Sequence, residues 1–147
     1  MTTNCTVSQV TWAAARGEIE AVRRAVFIEE LGIPPELEWD AHDATALHVL
    51  ARLPDGRAVG TGRLLPEGRI GRVAVLPAWR GRGVGGAVLS ALVAAAAARG
   101  HRALVLSAQL PVVVFYRRRG WVPRGPVYQA GGLPHRDMVL DLCKSLA

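Results

Sequence analysis

Only two cysteines and one lysine occur among the 147 residues of the sequence, and aromatic residues make up 5% of it. Cys5 and Cys143 lie near opposite ends of the chain without the spacing of metal ligands, so we expect free thiols and no bound metal. The first residues lack the basic and apolar regions of a signal peptide, and the longest apolar run, residues 84–98, is too short to span a bilayer. These absences predict a cytoplasmic protein without a membrane partner.

The formal net charge is +6, and nearly all of the positive charge comes from arginine. Such a charge is typical of proteins that bind nucleic acid or an anionic cofactor, although it can also reflect genome composition. The arginines are scattered, and their one tight cluster, residues 117–119, has no interleaved aromatic residues on which bases could stack. Nucleic-acid binding, which would weaken steeply with salt, is therefore the weaker interpretation, and we expect no nucleic-acid partner.

The residue pattern predicts alternating strands and helices in one domain over residues 1–147. Glycine- and proline-containing turns separate the segments. The predicted strands cover residues 8–12, 47–53, 58–65, 70–76 and 103–107, with two more near residues 121–122 and 138–142. The predicted helices cover residues 18–31, the segment from the glycine-rich stretch to about residue 99, and residues 112–119.

The stretch LPAWRGRGVGGAVLS, residues 76–90, places four glycines where a helix is about to begin. Glycine costs about 1 kcal/mol relative to alanine within a helix, so the absence of side chains must serve another purpose. The first turn of a helix has unpartnered N–H groups and the positive end of the helix dipole, and it therefore binds anions. We expect glycines to let a phosphate approach these amides, with Arg80 and Arg82 adding positive charge. The competing interpretation is a glycine-rich loop that serves only tight packing.

Two other phosphate-binding motifs do not fit this stretch. A Walker A loop requires a Gly-Lys-Ser/Thr ending, and the sequence has no such lysine. A dinucleotide-binding fingerprint requires G-x-G-x-x-G after the first strand and an acidic residue about 20 residues later, which is also missing.

The spacing Arg80-x-x-Gly83-x-Gly85 instead resembles the acyl-CoA pyrophosphate loop of the GNAT superfamily of N-acyltransferases. GRVAVLPAWRGRGVG is similar to the strand, bulge and loop that hold the cofactor in that family, and VLSAQLPVVVFYRRRGW to its next strand and tyrosine-bearing helix. VFIEELGIPPELEWDAHDATALHVLA and GGLPHRDMVL resemble patterns of the ElaA/YjcF-like subgroup. The resemblance implies an α/β (α+β) fold. Its mixed, mostly antiparallel twisted sheet is splayed between the fourth and fifth strands, with helices on both faces.

The resemblance also implies where acetyl-CoA, the cosubstrate, would bind. The pantetheine arm would lie in the splay and pair with the backbone of Val73, Ala74 and Val75. The phosphates would lie on the backbone amides of Arg80, Gly81, Arg82, Gly83, Val84, Gly85 and Gly86. A backbone N–H near Val75 would polarise the thioester carbonyl. No metal takes part in this chemistry.

In the family, an amine attacks the thioester directly and a tyrosine protonates the departing thiolate. Tyr116 occupies the position of that tyrosine in FYRRRGW, and the alternative is a core aromatic with its hydroxyl at the surface. The base is open: the candidates are Glu29, Glu30, Glu38, His42, His48 and His135, and a water chain serves equally well. Among these we select His135, because the subgroup resemblance places GLPH near the acceptor site.

The acceptor is less clearly indicated. An acid-rich segment that contains Glu29, Glu30 and Trp39 could frame a cationic amine, or it could be a solvated loop. Glu30 stands where the subgroup has glutamine, so no role is transferred to it. The acceptor could be an amino sugar, a polyamine, an amino acid, an aminoglycoside-like drug or a protein amine. A degenerate domain that binds acyl-CoA as a sensor is the alternative to an enzyme, and a homodimer is left open.

Overall fold

The computed structural model describes residues 4–145, which form a seven-stranded sheet with helices on both of its faces. The strands are β1 (Thr6–Val10), β2 (Leu47–Arg52), β3 (Ala58–Leu64), β4 (Arg69–Val75), β5 (Ala103–Gln109), β6 (Val122–Ala130) and β7 (Leu133–Asp141). Their order in the sheet is β1-β2-β3-β4-β5-β7-β6. Neighbouring strands run antiparallel except β4 and β5, which run parallel. The expected mixed, mostly antiparallel sheet is therefore confirmed.

Two long helices cover the sheet. The helices are α1 (Trp12–Arg23), α2 (Pro35–Glu38), α3 (Val84–Ala98), α4 (Val113–Arg117) and α5 (Leu142–Ser145), and α1 continues into a π-helical segment, Arg24–Glu30. Helix α3 packs on one face of the sheet through the main hydrophobic core. Helix α1 packs on the other face, where Ile19 contacts a cluster that contains Leu50. Within residues 4–145, no helix is long and apolar enough to cross a membrane.

Small residues bring α3 close to the sheet. A Cβ atom on Gly60 would lie 2.9 Å from Val84 Cγ1, and one on Gly62 would lie 2.7 Å from Leu92 Cδ1. Real Cβ atoms do not approach other atoms so closely, so β3 needs glycine at both positions to accept this helix. The alanine-rich sequence of α3 serves the same close packing.

The first two elements begin earlier than the sequence analysis predicted. Helix α1 starts at Trp12 rather than near residue 18, and β1 ends at Val10 rather than at residue 12. The signal for this boundary is Thr11, whose side chain accepts a hydrogen bond from the backbone N–H of Ala14 at 3.2 Å. Threonine is a common N-cap residue, whereas the sequence analysis places Thr11 within the first predicted strand.

The last two strands are longer than predicted. Strands β6 and β7 have nine residues each, whereas the sequence indicated only short strands near residues 121–122 and 138–142. The sequence of β6 is typical of a loop, because it contains Pro123, Gly125 and Pro126. Because β6 is the last strand of the sheet, prolines are tolerated there.

Strand β4 contains a bulge and separates from β5 beyond its first two residues. Arg63 pairs with Gly71 but Thr61 pairs with Ala74, so β4 has an extra residue, and Arg72 there has a φ of 51°. Paired residues between β4 and β5 are confined to Arg69–Val105 and Ile70–Leu106. The expected bulge and splay are both confirmed.

Candidate active site

A cleft of about 930 Å³ lies where β4 and β5 separate. Val73, Ala74 and Val75 of β4 line one side of it, and Leu106, Ser107 and Ala108 of β5 line the other. The β4 residues beyond Ile70 have no partner in β5, which leaves their backbone groups on that side available to a bound molecule. The cleft therefore offers a strand edge inside the protein, as an extended polyamide arm would need.

The glycine-rich loop lies at the open end of the cleft and leads into α3. Gly81 and Gly83 have φ values of 72° and 86°, in the left-handed region where residues with side chains are strained. The first main-chain hydrogen bond of α3 joins Ala87 N to Gly83 O at 3.1 Å, so the amides of Val84, Gly85 and Gly86 come before it. Because Gly85 and Gly86 both line the cleft, this helix start presents unpartnered donors to it.

The two arginines of the loop are engaged by the protein itself. Arg80 donates to the Glu30 carboxylate at 2.6 and 2.5 Å and, through Nε, to Val75 O at 3.0 Å. The guanidinium of Arg82 lies 5.1 Å from the centre of the Trp79 ring. In this arrangement Arg80 links the loop to the π-helical segment, and the Arg80 hydrogen bonds lower the pKa of Glu30. Glu30, expected at the acceptor site, lines the cleft and is paired with Arg80.

A third arginine lies beside the start of α3. Arg119 stacks on the Phe115 ring, 3.8 Å from its centre, and donates to Phe115 O at 2.9 Å. Its Nη2 atom would be only 2.9 Å from a Cβ atom on Gly86, and Arg119 lines the cleft. The sequence analysis treated residues 117–119 as one exposed cluster, and the packing against Phe115 distinguishes Arg119 from its neighbours. This guanidinium adds a positive charge beside the start of α3.

Tyr116 of α4 lines the same cleft and is largely buried. Its ring makes edge contacts with Phe115 and Trp121, at centroid distances of 5.1 and 6.1 Å. Among residues 4–145 no group hydrogen-bonds its hydroxyl, which leaves the hydroxyl free for a molecule in the cleft. Burial raises the pKa of Tyr116 to about 12, although the nearby Arg119 acts in the opposite direction. The phenol is therefore protonated throughout the neutral range.

His135 of β7 also lines the cleft. Its Nδ1 atom lies 2.8 Å from Leu133 O, and its ring stacks on Tyr128 with centroids 6.2 Å apart. A carbonyl oxygen only accepts hydrogen bonds, so Nδ1 carries the proton. Neutral His135 therefore has its lone pair on Nε2, as a proton acceptor requires.

The other base candidates have different surroundings. His48 is buried, stacks on Trp12 and bonds Asp43 O through Nε2 at 2.8 Å, and burial lowers its pKa. Both carboxylate oxygens of Glu38 are ion-paired with arginines. His42 and Glu29 are exposed, and among the described residues neither belongs to the cleft lining. His48 is thus a structural residue, and the expectation that it could act as a base is wrong.

The acid-rich segment is held by a buried network of ion pairs. Arg23 is 1% exposed and binds Glu38 at 2.6 Å and Asp43 at 2.7 Å. Arg63 binds Asp43 and Asp40, each at 2.8 Å, and its hydrogen bond lowers the pKa of Asp40 to about 2. These acids therefore serve to fix the segment on the sheet.

Trp39 belongs to this network rather than to the cleft wall. The guanidinium carbons of Arg23 and Arg24 lie 5.1 and 5.5 Å from its ring centre. The indole thus receives cations from the protein itself, and among the described cleft-lining residues Trp39 does not appear. Its expected contact with a cationic acceptor has no support in this position.

The cleft lining also includes Arg69, Ser107 and Tyr128, polar residues that the sequence analysis did not identify. The Tyr128 hydroxyl donates to Asp137 Oδ1 at 2.6 Å and shares a short hydrogen bond with Ser107 Oγ. Arg69 lies at the start of β4. No local sequence signal marks them, because the pairing of β4, β5, β6 and β7 brings them together.

Comparison with known proteins agrees with this geometry. The family model of the acetyltransferase (GNAT) domain matches residues 20–142. The uncharacterized N-acetyltransferase YjcF of Bacillus subtilis is 35% identical over 125 residues, which cover 82% of this chain and 88% of YjcF. The crystal structure of Escherichia coli ElaA superposes with a TM-score of 0.83 at 26% identity, covering 93% of this chain and 99% of ElaA. The crystal structure of an acyl-CoA N-acyltransferase from Pseudomonas aeruginosa superposes with a TM-score of 0.79 at 28% identity, covering 95% of this chain and 99% of that protein. The chain therefore belongs to the GNAT acetyltransferase family, and within it the protein is ElaA/YjcF-like.

Proposed function

We propose that the protein transfers the acetyl group of acetyl-CoA to a primary amine. The observation that carries this proposal is the cleft itself, which joins the open amides at the start of α3 to the unpartnered hydroxyl of Tyr116. Membership of an acetyltransferase family supports acyl transfer, and the name of the Pseudomonas aeruginosa relative supports an acyl-CoA donor.

The residues present fit the donor. The β5-facing backbone groups of Val73 and the N–H of Val75 are free to pair with the pantetheine amides, whereas the carbonyl of Val75 accepts from Arg80. The amides of Gly85 and Gly86, with Arg119 beside them, are suited to the pyrophosphate. Acetyl-CoA supplies a thioester whose carbonyl carbon is open to attack, and the backbone N–H near Val75 is the donor we assign to its oxygen.

The proposed reaction forms one C–N bond and breaks one C–S bond. Tyr116 donates its proton to the sulfur as the C–S bond breaks, and it recovers a proton from water. The attacking amine must lose a proton, which His135 accepts through Nε2 or which passes to water. The products are an amide and free CoA, and no oxidant, reductant or metal is needed.

The alternative is a domain that binds acyl-CoA as a sensor without catalysis. The free hydroxyl of Tyr116 and the Nε2 lone pair of His135 favour the enzyme, because binding alone requires neither group. A thiol-release assay with acetyl-CoA and a panel of diverse amines distinguishes the two functions. Thiol release that depends on the added amine supports the enzyme, and none with any amine supports the sensor.

Acetyl-CoA should stabilise the folded protein. At a ligand concentration a hundred times the dissociation constant, the free energy of unfolding should rise by about 2.7 kcal/mol. S-acetylpantetheine, which has the thioester but no pyrophosphate, should stabilise much less at the same concentration, because it cannot use the amides of α3. The measurement is the thermal midpoint at several ligand concentrations. A midpoint that does not move in millimolar acetyl-CoA would contradict the proposed function.

Gly85→Val should weaken CoA binding while the fold survives. A Cβ atom at Gly85 lies 3.5 Å from Phe115, an ordinary contact, whereas Gly83 has a φ of 86° and would be strained by valine. The added methyl groups should hold the phosphates away, and losing a charged hydrogen bond of about 1.5–3 kcal/mol lowers affinity about tenfold or more. Calorimetric titration with CoA measures this loss. Gly17→Val in α1, where a Cβ atom meets nothing within 4 Å, is the control; equal affinities in both variants would leave the loop only a packing role.

A further inference from the structure

One arginine of the cleft stands at its closed end, far from the phosphate loop. Arg69 is the first residue of β4 and pairs with Val105, where the two strands are still joined. Six residues of extended strand, roughly 20 Å, separate it from Val75 near the loop. Because Ile70 points into the core beneath α3 and side chains alternate along a strand, Arg69 faces the opposite side of the sheet.

Other polar groups of the cleft surround this position. Ser107, two residues beyond Val105, lies on the same face of the sheet, and its hydroxyl bonds that of Tyr128. Burial and the hydrogen bond to Asp137 raise the pKa of Tyr128, and the charge of Arg69 opposes this shift. Arg69 thus borders the part of the cleft that the pantetheine arm does not fill, next to His135 and Tyr128.

The other charges of the cleft are already partnered. The charged cleft-lining residues among those described are Glu30, Glu38, Arg63, Arg69, Arg72, Arg80 and Arg119. Both glutamates are ion-paired, as are Arg63, Arg72 and Arg80, and Arg119 donates to a backbone carbonyl. Over residues 4–145 the side chain of Arg69 makes no hydrogen bond or ion pair. Asp137, the carboxylate on its face, accepts from Tyr128 instead. Arg119, which we assign to the pyrophosphate, and Arg69 are therefore the two described cleft arginines without an anionic partner, and Arg69 is the one at the closed end.

We propose that the amine acceptor also carries a carboxylate, which Arg69 binds. This inference rests on the proposed acyl transfer and names its acceptor class. A guanidinium pairs a carboxylate through two parallel hydrogen bonds, and such a pair is stronger in a cleft than in open water. A single unpaired positive charge matches a singly charged group such as a carboxylate better than a phosphate dianion.

The same charges disfavour a polycationic acceptor. The acid-rich segment suggested a cationic amine, but three of its acids, Glu38, Asp40 and Asp43, are paired with Arg23, Arg63 and Arg72. A polyamine or an aminoglycoside-like drug would meet the unpaired charge of Arg69, and neither of the described carboxylates that line the cleft, Glu30 and Glu38, is free to offset it. Among the acceptor classes left open by the sequence, amino acids fit this end of the cleft.

The test uses matched acceptors that differ in the carboxylate alone. The ω-amino acids and the alkylamines of equal chain length have nearly the same amine pKa, and α-amino acids are compared with their amides. Glucosamine 6-phosphate and glucosamine form a further pair that tests a phosphate. Thiol release from acetyl-CoA should show a kcat/KM about tenfold or more higher for the carboxylate-bearing acceptors.

Arg69→Gln should remove this preference. We expect kcat/KM for the carboxylate-bearing acceptor to fall about 10–100-fold, mainly through KM, with the neutral partner nearly unchanged. Arg69→Lys keeps the charge without the paired geometry and should retain part of the preference. Arg102→Gln is the control, because Arg102 is exposed and lies outside the cleft lining as described for residues 4–145.

Several outcomes would overturn the carboxylate proposal. Equal rates for matched acids and neutral amines would do so, as would a stronger response to the phosphate pair or an equal loss for both partners in Arg69→Gln. If no amine releases thiol, the proposed acyl transfer fails instead. Arg69 is then tested by calorimetric titration of CoA-saturated protein with the same pairs. Carboxylate binding that Arg69→Gln abolishes supports the site, and binding that it leaves unchanged contradicts it.

Discussion

Tyr116→Phe should lower kcat for acetyl transfer by about 10²–10⁴-fold, the range typical of general acid catalysis. The hydroxyl contributes only when sulfur gains negative charge, so the Kd for acetyl-CoA should stay nearly the same. Phenylalanine keeps the ring and its edge contacts with Phe115 and Trp121, and the hydroxyl has no partner among the described residues to lose. The free energy of unfolding should therefore change little.

Single-turnover transfer at saturating acetyl-CoA and acceptor is the decisive measurement for Tyr116. Tyr128→Phe is the comparison, because its hydroxyl is already bonded to Ser107 and Asp137 and is not available to the sulfur. We expect its chemical step to remain within a few-fold of wild type at saturating acceptor. If Tyr116→Phe runs at the wild-type rate, or if both variants lose equally, Tyr116 is not the acid.

The pH dependence separates the buried phenol from an ordinary one. The reference pKa values of tyrosine and a thiol differ by only about 1.5 units, which makes an ordinary tyrosine a suitable donor to a thiolate. Burial raises the pKa of Tyr116 to about 12, which widens the difference and keeps the phenol protonated up to that pH. Because the protonated form is the donor, the chemical step should not decline between pH 8 and 10 on account of Tyr116. If the chemical step does decline between pH 8 and 10 and Tyr116→Phe abolishes the decline, the phenol titrates in that range. That result would contradict the raised pKa of Tyr116.

The sequence predicted the elements whose signals are local. The Pro-Asp-Gly turn, the glycine-rich helix start and the apolar strands over residues 47–53 and 58–65 all lie within a few residues of where the structure has them. Elements without such signals were missed or shortened. The π-helical segment Arg24–Glu30 has no distinct sequence pattern, and proline hides β6 because its place at the sheet edge is a property of the whole fold.

The candidate site was predictable where a motif carries it. Tyr116 and the segment from Val73 to Gly86 were identified in this way, since their spacing along the chain is short and specific. Pairing between distant side chains was not predictable. Arg80 pairs with Glu30, 50 residues away, and Arg23 pairs with Glu38 and Asp43, 15 and 20 residues away, so these acids looked free in the sequence. Arg69 and Tyr128 were missed for the same reason, as the sheet topology alone brings them together.

Arg23→Met should destabilise the fold by about 3–5 kcal/mol, the usual cost of removing one partner from a buried ion pair. Methionine fills much of the volume but leaves Glu38 and Asp43 without their closest cation. Burial already raises the pKa of Glu38 against the opposing charge of Arg23. Without that charge, the pKa of both buried carboxyls should rise above their unfolded values.

The destabilisation by Arg23→Met should therefore depend on pH. A carboxyl whose pKa is higher in the folded than in the unfolded state lowers the free energy of unfolding as the pH rises through the folded pKa. The loss of stability in Arg23→Met should therefore be greater at pH 7.5 than at pH 4.5. Urea unfolding at both values measures it. Arg52→Met, which breaks the half-exposed pair with Glu18, is the control and should cost about 0–1 kcal/mol. If Arg23→Met costs no more than Arg52→Met, or costs the same at both pH values, the network does not hold the acid-rich segment. Its carboxylates would then be open to a cationic acceptor after all.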